Sequence, residues 1–338
     1  MAGGFEAHLD WERLPPGMSH RDVAGVAVGP DDLVHLFTRY PHQIFVFTPD
    51  GEFVTTWGEG AFVHAHAIRV GPDGSVYTVD NFQHTVKKFS AGGELLMTLG
   101  IPDQPSDTGY VTGAPVSIHL VEGVTHAGPP FNGCTDLVLA PNGDIYVADG
   151  YHNCRVHHFD GKGELIRSWG AVGEGPGEFR LPHAICQSPD GRLFVADREN
   201  DRIQIFTPDG EYLDEWNDVN RPCGIALDAE GRMYVAELWR PVGNRSFVRD
   251  NAAVDLPSRM TVLDGDGAVL DRWGDSVDDK GAAGNFIAPH SMAIDSRGDL
   301  YVGEVTYTYA IRNGLVGEEL AFHQIQKFVR TPTTAEAR

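Results

Sequence analysis

The sequence predicts an all-β fold, a six-bladed β-propeller, and three observations predict it. A turn word recurs six times, a short β-rich run follows each copy, and most units close on a Trp-Gly pair or a relative of one. Units of this kind stack side by side, because one four-stranded blade cannot bury both of its faces alone.

The turn words, in order, are Pro30-Asp31-Asp32, Pro72-Asp73-Gly74, Pro141-Asn142-Gly143, Pro189-Asp190-Gly191, Ala229-Glu230-Gly231 and Ser296-Arg297-Gly298. The run after the turn ends on an acidic residue in five units, at Asp80, Asp149, Asp197, Glu237 and Glu304; the first unit has Thr38 there, followed by Arg39. A third run follows, and the fourth ends at Trp57-Gly58, Leu99-Gly100, Trp169-Gly170, Trp216-Asn217 or Trp273-Gly274. Strand, turn, strand, loop, strand, turn, strand is one antiparallel blade.

Equivalent turns, at positions 32, 74, 143, 191, 231 and 298, are 42, 69, 48, 40 and 67 residues apart. The two long intervals therefore hold insertions, residues 102–130 and 241–257, rich in Gly, Pro, Asp and Asn. Long loops on a rigid scaffold serve as lids or binding surfaces, or as solvated decoration. The last unit lacks an outer strand, and residues 8–13 are expected to supply it. That would close the ring and remove an open sheet edge. No linker-like break interrupts the repeats, so residues 1–338 read as a single propeller domain.

A net charge of −22 argues against nucleic acid or an anionic membrane as the main partner, since both require a basic face. No stretch approaches the ~20 apolar residues that span a bilayer, and the first residues show no secretory pattern, so the expected location is the cytoplasm. Four cysteines are too few and scattered for a disulfide framework, and Cys134 and Cys154, both in the third unit, are expected to be reduced. Oligomeric state has no signature.

The chemistry begins with His66, His183 and His290, each eight residues before a turn glycine and each in alternate units. In a closed ring that register puts three imidazoles on one layer around the axis, interleaved with the small residues Ala24, Thr135 and Cys223. Three imidazoles with an open fourth position suit a catalytic zinc. Any one of them alone would be an ordinary strand-start histidine, as His64 and His152 are expected to be rim residues and His157-His158 an exposed strand pair. Tyr151, just past the acidic end at Asp149, should border the channel, where a phenol hydrogen-bonds substrate or acts as a base; otherwise it packs under a loop. Arg39 holds the corresponding corner of the first unit, suited to a substrate carboxylate or to bridging two blades.

The phrases Pro182-His183-Ala184, Ala196-Asp197-Arg198-Glu199-Asn200-Asp201-Arg202-Ile203-Gln204, Asp149-Gly150-Tyr151-His152-Asn153-Cys154-Arg155 and Ala288-Pro289-His290 resemble peptidyl-α-hydroxyglycine α-amidating lyase, a family of six-bladed propellers built from NHL-type repeats. The resemblance runs from about Val23 to Val329. It implies zinc on His66, His183 and His290, a catalytic tyrosine at Tyr151, and a substrate-polarising or carboxylate-binding arginine at Arg39. It also implies a structural calcium held by an aspartate after the third histidine and by carbonyls matching Val26 and Ile68; here Ser291 stands in place of the aspartate. Ala288 replaces a family methionine, and His152 replaces a cysteine, so the family disulfide cannot form there.

The implied reaction is cleavage of a carbinolamide, N–CH(OH)–COO⁻, to an amide and an α-oxo acid, on a small or peptide-like substrate carrying a carboxylate. Two other classes use the same features differently. A zinc hydrolase of a lactone or amide would attack with water, and a non-catalytic NHL interaction module would have no use for axial histidines.

Overall fold

Alternating apolar residues and tight turns build six four-stranded antiparallel sheets, each one blade. The structure is a computed structural model that describes residues 4–110, 123–244 and 254–331. Blade 1 comprises Arg21–Val28, Val34–Tyr40, His42–Phe47 and Phe53–Trp57; blade 2, Ala65–Val70, Val76–Asp80, Thr85–Phe89 and Leu95–Leu99. Blade 3 comprises Cys134–Leu139, Ile145–Asp149, Arg155–Phe159 and Leu165–Trp169; blade 4, Pro182–Gln187, Leu193–Asp197, Arg202–Phe206 and Tyr212–Trp216. Blade 5 comprises Pro222–Leu227, Met233–Glu237, Arg259–Leu263 and Val269–Trp273. Blade 6 runs Pro289–Ile294, Leu300–Glu304 and Ile325–Arg330, with Phe5–His8 as its outer strand.

The first strand of each blade packs against the first strands of its two neighbours, and that of blade 1 touches both blade 2 and blade 6, which completes the ring. Six apolar clusters hold the ring, each centred on the gap between adjacent blades. Burial of apolar surface between blades is the main stabilising term, because within a blade the side chains of one face do not meet those of the other. The Trp-Gly words have a structural reason here. Gly170 sits at φ 107° and Gly274 at φ 85°, and a Cβ on either would lie within 3 Å of a phenylalanine ring, Phe179 or Phe286. Each of these rings leads into the first strand of the next blade, so the glycine is where one blade ends against the next.

Two expectations needed correction. The closing strand is Phe5–His8, paired with Ile325–Arg330, and lies N-terminal to the expected residues 8–13. The apolar alternation runs on in both directions, and the rings decide: Phe5 packs on Tyr234, Trp273 and Phe328, whereas Trp11 turns to Phe47 and Tyr301 and donates to the Pro49 carbonyl. His157 and His158 are buried, not exposed. Both faces of a blade are covered by neighbours: His157 reaches Asp149 and Ser168, and His158 stacks on Tyr146 with its Nε2 against Asp144.

Cys134 and Cys154 are free and face opposite sides of blade 3, Cys134 towards the Asp80 and Thr85 carbonyls and Cys154 towards that of Arg180. The centres of both insertions, 111–122 and 245–253, lie outside the described residues, so a lid role is not visible there. The described base of the first insertion packs on the loop beyond Asp149: Thr108 donates to the His152 carbonyl and Tyr110 stacks on the His152 ring at 3.8 Å. Among the described residues no helix is long and apolar enough to cross a membrane.

Candidate metal centre and channel mouth

One backbone irregularity, repeated six times, aims the site. In every blade the pairing of the first and second strands slips by one near the start, and the extra residue is Ala24, His66, Thr135, His183, Cys223 or His290. A bulge turns its extra side chain out of the alternating faces of the sheet, here towards the axis. The strand leading into the bulge is anchored by the acidic residue that ends the second strand. Asp80 accepts from the Val63 and His64 amides, Asp197 from Arg180 and Leu181, and Glu304 from Ile287 and Ala288.

The small residues between the histidines do more than leave room. His66 Nδ1 donates to the Thr135 carbonyl (2.5 Å), His183 Nδ1 to that of Cys223 (2.6 Å) and His290 Nδ1 to that of Ala24 (2.7 Å). A carbonyl only accepts, so Nδ1 carries the proton in each ring and the Nε2 lone pair is free to point inward. One ligand atom from each ring lies within 4.8 Å of the others, and this is the group among the described residues with the donors and spacing to hold a metal ion. His290 Nε2 is buried without a hydrogen-bond partner, a costly state for a polar atom unless something binds it. Burial, then the neighbouring imidazoles and the Arg39 charge, hold the His66 imidazole well below its usual pKa. His183 and His290 are lowered well below theirs too, again chiefly by burial. All three therefore present neutral rings, the form that ligates.

Tyr151 stands at the mouth. Its amide donates to the Gly133 carbonyl, and that of His152 to Asn132. Gly133 packs so closely that a Cβ there would lie 2.9 Å from the Tyr151 Cβ, and one on Gly150 would lie 2.3 Å from the Pro182 carbonyl oxygen. The tyrosine hydroxyl lies 3.1 Å from His66 Nε2 and 3.3 Å from His183 Nε2. Arg39 is buried and its Nε donates to the Ala65 carbonyl, one residue before His66. His64 and His152 lie at the rim, stacked on Phe82 and Tyr110.

Arg198 is a residue that sequence reasoning passed over. It is buried, with its guanidinium carbon 5.7 Å from the centre of the Tyr151 ring. A signal was present: Arg198 follows Asp197 as Arg39 follows Thr38, so the two guanidiniums hold equivalent corners of blades 4 and 1. These are opposite blades of a six-membered ring. Arg221 and Arg240 are buried nearby as well, paired with Glu199 and Asp201.

The calcium that the resemblance implies does not fit. The Ile68 carbonyl accepts from Arg69 Nη1 (2.8 Å), while Arg69 Nη2 pairs with the buried Asp136 at 2.6 Å. A guanidinium thus already holds one of the oxygens a second cation would need, and its charge would repel that cation. Ser291 Oγ, in place of the aspartate, accepts from the Val26 amide.

Fold and site together define a class, the six-bladed propeller with an axial three-histidine centre. A family model described as the NHL repeat matches residues 131–159 and 179–206. Peptidyl-α-hydroxyglycine α-amidating lyase 1 of Drosophila melanogaster is 32% identical over 195 residues, 53% of this chain and 34% of the relative. Peptidyl-glycine alpha-amidating monooxygenase A of Xenopus laevis is 34% identical over 179 residues, 50% of this chain and 18% of the relative. The matches thus span about a fifth to a third of these relatives' length. A gluconolactonase from Xanthomonas campestris superposes with a TM-score of 0.59 over 97% of this chain and 90% of its own, at 14% identity, a likeness of fold alone. The chain is thus a six-bladed propeller with two stretches that match the NHL repeat, and about half of it is similar to proteins named for peptide amidation.

Proposed function

We propose that this chain is a zinc-dependent carbon–nitrogen lyase that cleaves an α-hydroxyglycine-type carbinolamide to an amide and glyoxylate or a related oxo acid. The observation that carries the reading is the Tyr151 hydroxyl, within hydrogen-bond reach of His66 Nε2 and His183 Nε2 at the edge of the three-histidine centre. It puts a group able to move a proton where the substrate would be activated. The two relatives, named for amidation of peptides, support the same chemistry.

His66, His183 and His290 would hold the zinc, which when bound would supply a Lewis acid that makes a substrate hydroxyl easier to deprotonate. The chain's own groups do the rest. Arg39 binds the substrate carboxylate and sets the reacting carbon in line. Tyr151 Oη takes the hydroxyl proton as it gives its own phenolic proton to the departing nitrogen, the electron pair left on the substrate oxygen forms the C=O bond, and the C–N bond breaks with its pair going to nitrogen. Nothing is oxidised or reduced, and no water enters the products. Arg198 keeps a fixed positive charge beside Tyr151 throughout. The Arg39 and Arg198 guanidiniums suit a substrate that carries a carboxylate.

The test is incubation of zinc-loaded protein with N-benzoyl-α-hydroxyglycine in ¹⁸O-labelled water. The lyase reading expects benzamide and glyoxylate in equal amounts, above the uncatalysed rate, with no label in benzamide. Labelled benzoate would identify a hydrolase, and no product above background would remove the reading.

A further inference from the structure

A chain of buried polar groups leads from Arg198 to a distant turn. Arg198 Nε donates to Glu199 Oε1 at 2.8 Å, and the same oxygen accepts from Arg221 Nη2 at 2.8 Å. Arg221 Nη1 donates to the Tyr309 hydroxyl and to the Trp239 carbonyl, each at 2.9 Å. The Tyr309 hydroxyl in turn donates to the Trp239 carbonyl. Tyr309 sits on a π-helical turn, Thr306–Ile311, that follows the second strand of blade 6. Turns of this type are rare and recur at functional sites.

Three features mark the chain of contacts as more than packing. Arg221 is buried at φ 42°, a backbone conformation unusual for a residue other than glycine and held only where the surroundings insist on it. Glu199 is fully buried between two guanidiniums, so neither arginine can move without stranding a charge. The far end is fixed as well: Asp22, on blade 1, accepts from the Tyr307 and Thr308 amides at the start of the turn.

We propose that Tyr309 is a positioning residue that, through Arg221 and Glu199, sets where the Arg198 guanidinium stands against Tyr151. The proposal rests on the reading of Tyr151 as the proton carrier for its consequence in catalysis, but not for its geometry. The turn in blade 6 thereby governs a side chain on blade 4 that it does not touch. The tyrosine hydroxyl is the joint, because it bonds both the Arg221 fork and the carbonyl that the fork also grips.

The experiment uses full-length zinc-loaded protein with Tyr309→Phe, which removes one hydroxyl and keeps the ring. The Arg198 Nε–H resonance, assigned by its loss in Arg198→Lys, is expected to exchange faster with solvent in Tyr309→Phe while zinc content stays the same. With N-benzoyl-α-hydroxyglycine, kcat/KM is expected to fall about tenfold, the size of one hydrogen bond to a charged group. In an Arg198→Lys background the same change is expected to have less than about a twofold effect, since coupled residues are not additive. An unchanged Arg198 Nε–H signal, or equal losses in both backgrounds, would overturn the proposal. If the substrate is not turned over at all, the lyase reading fails while the exchange measurement still decides the role of Tyr309.

Discussion

At the scale of single residues, the chemistry depends on where hydrogens sit. Three carbonyls on the interleaved blades fix the imidazole tautomers, and those carbonyls belong to Thr135, Cys223 and Ala24, whose side chains look featureless in sequence. Tyr151 carries the sharpest expectation. Tyr151→Phe should lower turnover of N-benzoyl-α-hydroxyglycine by roughly 10²–10⁴-fold, the usual worth of a positioned acid–base group, with zinc content unchanged. Kinetics and elemental analysis on the same preparation check it; full activity in the phenylalanine variant would assign the proton transfer elsewhere. The places of His66, His183, His290, Tyr151 and Arg39 around the axis were legible, because position relative to each turn reports position on the ring. Arg198 was not, since its meaning lies in being opposite Arg39 across the axis.

At the scale of elements, the acidic strand ends explain how the bulges are held, and one of them is sensitive to pH. Glu304 anchors the segment that enters His290 and pairs with the buried His323 at 2.7 Å. Burial pushes the His323 imidazole down, but the Glu304 carboxylate more than offsets this, and its pKa is raised above 6.5. A raised histidine contributes stability that is fully present below the unfolded value and is lost as pH rises through the folded one. Wild-type protein should therefore lose thermal stability as pH climbs from 6.5, relative to His323→Gln. At pH 6 the variant should be less stable by roughly 3 kcal/mol, the cost of breaking a buried pair. Parallel melting curves at pH 6 and pH 8.5 check this; a difference that does not shrink at the higher pH would contradict it. The acidic ends themselves were visible in sequence, but their partners were not, because backbone amides leave no mark there. The closing strand was misplaced for a related reason: Leu9 and Trp11 alternate as well as Phe5 and Ala7 do, and only the rings waiting between blades 5 and 6 choose between them.

At the scale of the whole molecule, alternation around the ring is the organising device. Three blades present an imidazole and three present a carbonyl that orients it, so the centre is complete only when the ring is closed. The same closure buries His157 and His158, which a single blade would have left exposed, and brings opposite corners of blades 1 and 4 to one mouth. Ring order and blade number were legible from turn words alone; which charges face each other across the axis required the ring itself. The central claim is that this layer binds the metal the reaction needs. Elemental analysis of purified wild type beside His183→Ala, after both are supplied with zinc and passed over a desalting column, tests it most directly. The account predicts about one zinc per chain in wild type, as a three-histidine site holds a single ion, and its loss in a variant that is still folded. No zinc in wild type, or equal zinc in both, would contradict it.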